Sequence, residues 1–254
     1  MSEPLRLLRP DGQTIAYLKT AGTATGPTVV WLSGFKSDMS GTKAMALDAW
    51  ARQCGQPLVR FDYFGHGQSS GDFRDGTVTR WLDDALAVID EATAGPLVLV
   101  GSSMGGWIAT LAALRRPERI AGMLLIAPAA DFTEELMWKA MPDDVQREIV
   151  ERGVWHRPSA YDPDPYPITR GLIEDGRRHL ILGTPIGVRC PVRVLQGMAD
   201  PDVPWQHALR LVERLEGTDV VVELIKGGDH RLSTPADIAR MGAVLDELIR
   251  SVGP

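Results

Sequence analysis

The stretch "LVLVGSSMGGW", from Leu97 to Trp107, decides the fold. Its first half is a short run of large aliphatic residues with no polar interruption. Such a run suits a strand covered on both faces, as in a parallel sheet. Its second half opens "MGGWIATLAALRR" (104–116), a helix-compatible segment. Between them, Gly101-Ser102-Ser103-Met104-Gly105 fits the pattern G-x-S-x-G with Ser103 at its centre. Glycines at those positions permit a sharp, strained strand-to-helix turn that exposes one side chain at its apex. A frame centred on Ser102 needs glycine at 100 and 104, where Val100 and Met104 stand. Ser103 is therefore the candidate nucleophile, and Ser102 is the residue before it.

The same rhythm extends in both directions. "TVVWLS" (28–33), "LVRFD" (58–62), "MLLIAPA" (123–129), "VRVLQG" (192–197) and "VVVELI" (220–225) are compact apolar runs of the strand type. "LRLLR" (5–9) and "TIAYLK" (14–19) flank Pro10-Asp11-Gly12-Gln13, which reads as an antiparallel hairpin. Helical segments fall at about 42–54, 78–92, 104–115, 205–215 and 235–250. Thr77 is placed to cap the second. In the last, Ile238, Met241, Leu245, Leu248 and Ile249 form one apolar stripe. Alternation of this kind predicts a doubly wound α/β sheet of eight strands, mostly parallel, with helices on both faces.

One segment breaks the rhythm. From Asp131 to about Val188 no strong strand pattern is present, yet the segment carries Trp138, Trp155, Tyr161 and Tyr166. Ordinary connections run only ~4–6 residues. The expectation is a helical cap over 131–187, inserted after the sixth strand into a core made of 1–130 and 188–254.

Composition removes several function classes. Lys and Arg number 27 against 33 Asp and Glu, a formal charge of −6. Basic residues never run longer than pairs such as Arg115-Arg116, so no nucleic-acid partner is expected. Cys54 and Cys190 stand in no CxxC or Cys/His cluster, which fits a reducing compartment and no metal. No run approaches the ~18 apolar residues of a membrane span, and "MSEPLRLLRPDG" has no apolar stretch of signal-peptide length. The reading is a cytoplasmic protein with no transmembrane segment.

A serine hydroxyl needs a base to take its proton and donors for the oxyanion that forms on attack. After "VRVLQG", the segment "MADPDVPW" (198–205) offers Asp200, with Asp202 two residues on. After "VVVELIKGG", Asp229-His230 lies in a loop between the last strand and the last helix. The order Ser103, Asp200, His230 is the one this turn requires. Asp202 is read instead as a cap for the helix near Trp205. His66, His156, His179 and His207 are read as surface or packing residues. The oxyanion donors should be the backbone N–H of Met104, at a helix N-terminus, and that of Phe35 in "WLSGFKS" (31–37). With Gly34 beside Phe35, candidate substrate contacts are Gly34, Trp138, Trp155 and Tyr161. Apolar walls from Phe35 and Met104 complete the expected acyl pocket. This chemistry is complete without a metal or organic cofactor.

Together these residues resemble the α/β-hydrolase fold superfamily. "DYFGHGQS" (62–69) is similar to the D-x-x-G-x-G-x-S loop after the fourth strand of many members, where the resemblance implies a structural role. Within the superfamily, "LSGFKSDMSGTKA" (32–44), "RFDYFGHGQSSG" (60–71), "LVGSSMGGW" (99–107), "GVW" (153–155), "GMADPDVPW" (197–205) and "DHR" (229–231) resemble the family of α/β-hydrolase domain-containing protein 10. That resemblance implies a palmitoyl-protein thioesterase that also cleaves acyl glucuronides, with Ser103, Asp200 and His230 as its triad. It points to a bacterial relative, since no transit segment is evident. Ser33-Gly34 stands where many members have His-Gly, and the cap is the least similar part.

The function read from the sequence is a serine hydrolase of carboxylic esters or thioesters, the sharper form being a long-chain acyl thioesterase. Its substrate is a small molecule or an acylated protein. An aminopeptidase is the alternative enzyme, because Glu134, Glu135, Asp143 and Asp144 could bind an amine. A ligand-binding receptor on the same scaffold is the alternative class, and its usual mark is a damaged triad.

Overall fold

A computed structural model of the chain describes residues 3–158 and 165–253. Strands β1 (Leu5–Leu8), β2 (Thr14–Thr20) and β3 (Thr28–Leu32) lead into helix α1 (Thr42–Cys54) and strand β4 (Leu58–Phe61). Helix α2 (Val78–Glu91), strand β5 (Leu97–Ser102), helix α3 (Met104–Arg115) and strand β6 (Ile120–Ile126) follow. An insert holds helix α4 (Asp143–Arg152), strands β7 (Val154–Arg157) and β8 (Tyr166–Thr169), and helix α5 (Arg170–Gly176). The chain closes with β9 (Val192–Gly197), α6 (Trp205–Arg214), β10 (Val220–Ile225) and α7 (Pro235–Val252).

The main sheet has eight strands in the order β1-β2-β4-β3-β5-β6-β9-β10. β1 and β2 are antiparallel, and β2 is antiparallel to β4; the rest pair in parallel. Both faces of the central strands are covered, which explains their unbroken apolar sequence. Leu97 and Leu99 of β5 join the core layer of α2 and α3, while Val98 and Val100 join the layer of α1 and α7. The expected stripe of α7 is the face used there: Met241, Leu245 and Leu248 are buried, with Ile238 and Ile249 packed beside them. Thr77 caps α2, its hydroxyl accepting the Arg80 N–H. β6 ends at Ile126, before Ala127 turns to φ +46°.

Most of the insert's described elements are helical, and one pair of strands departs from the expected helical cap. β7 and β8 form an antiparallel hairpin, with Trp155 opposite Ile168 and Arg157 opposite Tyr166. The β-branched and aromatic residues Val154, Trp155, Tyr166 and Ile168 favour extended backbone, but four-residue strands are too short to print a period. The Asp131 carboxylate accepts the N–H groups of Ile181 and Leu182, each at 2.9 Å. One buried side chain thus ties the beginning of the insert to its end. Asp175 docks α5 on the head of α2 by accepting from Thr79 N–H and Oγ1, both at 2.7 Å. Among the described residues, no helix is long and apolar enough to cross a membrane.

Candidate active site

Four loops meet at the C-terminal edge of the parallel strands, where open α/β sheets place their sites. They follow β3, β5, β9 and β10. Ser103 stands between β5 and α3 at φ +55°, ψ −120°, a conformation that costs a non-glycine residue about 1–3 kcal/mol. Its backbone is pinned: the N–H donates to the Ile126 carbonyl at 2.9 Å, and the carbonyl accepts from Gly106 at 2.9 Å and Ala129 at 3.1 Å. Burial on both sides of the turn, by Val98, Val100, Trp107 and Ile108, offsets the strain, at about 1.5–3 kcal/mol for each large side chain.

The turn's glycines are required by close approach. A Cβ on Gly101 would meet the Gly105 carbonyl oxygen at 2.4 Å, and one on Gly105 would meet that of Leu32 at 2.1 Å. Gly34 faces the serine: its Cβ would sit 3.4 Å from Ser103 Cβ and 4.0 Å from Ser103 Oγ.

Ser103 Oγ lies 3.1 Å from His230 Nε2. His230 Nδ1 lies 2.9 Å from Asp200 Oδ2. The Asp200 side chain is fully buried. Its Oδ1 accepts the N–H groups of Asp202 and Val203, both at 2.9 Å, and its Oδ2 accepts Gln196 Nε2–H at 3.2 Å. The structure therefore brings Ser103, His230 and Asp200 into one hydrogen-bonded chain. Asp202 does not cap α6, whose N-cap is Pro204 with no side-chain bond. Its carboxylate lies within 4.8 Å of the Asp200 and His230 acceptor atoms. Both His230 nitrogens are engaged, Nδ1 by Asp200 and Nε2 by Ser103.

The loop that carries His230 is held from three sides. Asp229 Oδ1 accepts Leu232 N–H at 2.9 Å, Ala199 N–H donates to the Gly228 carbonyl at 3.0 Å, and Lys43 Nζ donates to the Arg231 carbonyl. Burial pulls Lys43 down to about 8. The other histidines take no part in this hydrogen-bonded chain. His66 and His207 are buried, and burial lowers both, His66 to about 4. His207 Nε2–H donates to the Ala130 carbonyl at 2.7 Å. His179 Nε2 lies 2.6 Å from Thr79 Oγ1, and His156 is exposed on β7.

Phe35 is the hub of the apolar wall. Its ring centroid lies 5.0 Å from Phe73, 5.6 Å from Phe132, 5.6 Å from Tyr166 and 5.8 Å from Trp81. Tyr166 comes from the insert, beside the charges of Arg157 and Asp202, and burial raises its hydroxyl. Tyr166 and Phe132 are absent from the sequence-derived set. Other expected wall residues go elsewhere. The Met104 side chain is fully buried in the core, leaving only its backbone to the site. Trp138 stacks against the Arg177 guanidinium at 4.9 Å and lines a 480 Å³ groove along α4. Trp155 is half-buried against the core. Tyr161 lies outside the described residues. Two of the carboxylates considered for amine binding are paired: Glu134 with Arg177 at 2.8 Å, and Glu135 with Lys139 at 2.6 Å and Arg210 at 3.0 Å.

Comparison with known proteins agrees with this geometry at the level of family. Residues 24–157 match the family model described as serine aminopeptidase, S33. The chain is 39% identical over 244 residues to the mitochondrial palmitoyl-protein thioesterase ABHD10 of Pongo abelii, covering 96% of this chain and 79% of that protein. The crystal structure of a hydrolase from Agrobacterium vitis S4 superposes with a TM-score of 0.93 at 46% identity, over 97% of this chain and 98% of that one. Mouse α/β-hydrolase domain-containing protein 10 superposes with a TM-score of 0.91 at 37% identity, over 99% of this chain and 100% of that one.

Proposed function

The chain belongs to the α/β-hydrolases of the serine aminopeptidase S33 family and is a homologue of the ABHD10 thioesterases; on that premise we propose that it cleaves carboxylic esters or thioesters through an acyl-enzyme on Ser103. The observation that carries this reading is the chain from Ser103 Oγ through His230 to buried Asp200, at 3.1 and 2.9 Å. In the proposed reaction His230 Nε2 takes the Ser103 proton as Oγ attacks the carbonyl carbon. The N–H groups of Met104 and Phe35 receive the oxyanion. His230 then returns the proton to the departing thiol or alcohol. Water, deprotonated by the same imidazole, attacks the acyl-enzyme and frees the acid. Asp200 holds His230 in the Nδ1–H tautomer and stabilises the imidazolium.

The acyl group is proposed to lie along Gly34 and the aromatic wall of Phe35, Phe132 and Tyr166, with residues 131–187 acting as the cap. Trp155 and Tyr161 remain proposed cap contacts. A long acyl chain is the sharper substrate, supported by the apolar character of that wall and by the relatives' name. The aminopeptidase reading is weaker because Glu134 and Glu135 already have cationic partners. A reducing compartment, the cytoplasm, is proposed from the free thiols of Cys54 and Cys190, whereas the ABHD10 relatives are named as mitochondrial.

The test is kcat/KM for acyl thioesters of one leaving group and increasing chain length, with Ser103→Ala as control and fluorophosphonate labelling of Ser103. A steep rise towards long chains, lost in the variant, is expected. A flat profile would remove the long-chain substrate and keep the hydrolase. Turnover that survives Ser103→Ala, or wild-type Ser103 that resists the probe, would overturn the mechanism and favour a binding protein.

A further inference from the structure

We infer that His66 is a positioning residue for the oxyanion turn: its imidazole bridges the Phe64 carbonyl and the Lys36 N–H and so fixes the backbone that carries Phe35. The inference rests on the proposed acyl-enzyme reading, which gives Phe35 N–H its role.

The turn after β3 needs an external hold. Gly34 abuts Ser103, and two residues on Lys36 stands at φ +58°. A non-glycine residue in that region costs roughly 1–2 kcal/mol and persists only where its surroundings impose it. Ser37 N–H closes the turn on the Gly34 carbonyl at 3.1 Å. Lys36 N–H leaves the turn and donates to His66 Nε2 at 3.3 Å. The other ring nitrogen, His66 Nδ1, lies 3.0 Å from the Phe64 carbonyl. A carbonyl can only accept, so Nδ1 carries the proton and Nε2 presents its lone pair to Lys36. The tautomer is thereby fixed by the partner behind the ring.

Packing does not by itself ask for a histidine at 66. The ring is 4% exposed and sits edge-on to Phe73 at 5.0 Å, Trp81 at 5.4 Å and Tyr63 at 5.9 Å. A phenyl ring would satisfy such neighbours without the cost of burying two polar nitrogens. Here both nitrogens are used, and one of them reaches out of its own loop to the neighbouring one. Phe35 packs on the same Phe73 and Trp81 rings, so His66 and the turn form one block. A second tie lies three residues on, where Asp62 Oδ1 accepts Met39 N–H at 2.7 Å while its Oδ2 accepts Gln68 N–H at 2.7 Å. The 62–69 loop thus grips the 34–39 segment at Lys36 and Met39, which gives "DYFGHGQS" a part in the chemistry beyond its own tight turn.

Three variants separate holding from filling. His66→Phe keeps the ring and removes the acceptor. His66→Asn keeps a donor for the Phe64 carbonyl and stops short of Lys36. His66→Gln carries an oxygen far enough to accept from Lys36. Backbone hydrogen exchange of residues 34–37 is measured with kcat and KM for a short p-nitrophenyl ester, and thermal unfolding controls for folding. Exchange in the turn should quicken in the Phe and Asn variants. Their kcat should fall by about tenfold or more with KM little changed, because a displaced donor weakens binding of the transition state alone. Gln should recover most of both. Unchanged exchange in Phe and Asn would overturn the inference whatever the activity. So would unchanged kcat, or a loss in Gln as large as in Phe. Absence of Ser103-dependent turnover in the wild type would instead sink the hydrolase reading, and the exchange result would still decide whether His66 holds the turn.

Discussion

Replacing Asp200 with asparagine exchanges one oxygen for an NH2 and tests the proposed acid at nearly constant shape. Oδ1 serves two backbone N–H groups at 2.9 Å, so the asparagine must keep its carbonyl oxygen there. Its NH2 then faces His230 Nδ1, 2.9 Å away. That nitrogen has to become an acceptor, and the ring proton moves to Nε2. A protonated Nε2 cannot take the proton of Ser103, 3.1 Å away. Wrong tautomer and lost imidazolium stabilisation together cost ~10⁴ in kcat in serine proteases with this arrangement, or about 5.5 kcal/mol on the barrier. The fold has a way to absorb the change. Gln196 Nε2, now 3.2 Å from Oδ2, would oppose the new NH2, but its Oε1 is buried without a partner and can take that place after a flip. The flip gives up the bonds from Nε2 to the Gly197 and Val203 carbonyls at 3.1 and 3.0 Å, so the stability loss should be about 2 kcal/mol. Asp202→Asn is the matched comparison. It removes a charge within 4.8 Å of the pair and leaves the hydrogen-bonded chain intact. At water-like screening that charge is worth about 1 kcal/mol, less than tenfold in rate. Steady-state kinetics on a short ester and an acyl thioester, with urea unfolding of each variant, make the assay. A loss within tenfold for Asp200→Asn, or an equal loss for Asp202→Asn, would refute the assignment of the acid.

Gly105→Ala should cost about 3 kcal/mol or more, since its Cβ would meet the Leu32 and Ser33 carbonyl oxygens at 2.1 and 2.6 Å; Gly183→Ala, with nothing within 4 Å of its Cβ, should unfold at the wild-type midpoint, and equal midpoints for both would contradict the packing argument. His66 protonates near 4 in the fold, held down by burial and Lys36 against the pull of Asp38, but near 6.5 when unfolded. The unfolded chain binds more protons between those values, so stability falls as pH drops through that window, by up to about 3 kcal/mol. Urea unfolding at pH 7 and 4.5 should show that slope in the wild type and a shallower one in His66→Asn, where His207 still contributes; parallel slopes would mean His66 is not buried as a neutral ring. Burial raises the Cys190 thiol to about 11, while Cys54 is exposed. Iodoacetamide at pH 8 should label Cys54 well before Cys190, and equal labelling would count against the described packing.

The parts of the site legible in the sequence are those under a backbone constraint. Gly101 and Gly105 are required because a Cβ there would meet carbonyl oxygens at 2.4 and 2.1 Å, so the turn leaves a pattern of glycines around Ser103. Asp200 and His230 follow β9 and β10 directly, and apolar runs such as "VRVLQG" mark strand ends well. Asp202 misleads for the opposite reason. An acid three residues before a helix looks like a cap, but Pro204 opens α6 without one, and the local sequence does not say which way the carboxylate turns.

The pocket wall obeys no such constraint. Phe35, Phe132 and Tyr166 come together from the turn after β3, the start of the insert and its hairpin. Nothing in their spacing brings them together; they meet only when the insert folds back over the turn after β3. Trp138 and Tyr166 are equally plausible from sequence, being aromatic residues in an aromatic insert. They separate only when the chain folds, one onto Arg177 and the other onto Phe35. Met104 shows the same limit within a single residue. Its backbone position follows from the turn, but its side chain follows from the helix face, which points into the core. Reaction chemistry depends on fixed backbone geometry, so a residue pattern reports it. Substrate choice depends on apolar surfaces that many aromatic residues could supply, so the insert, which brings Phe132 and Tyr166 to Phe35, is where specificity has to be measured.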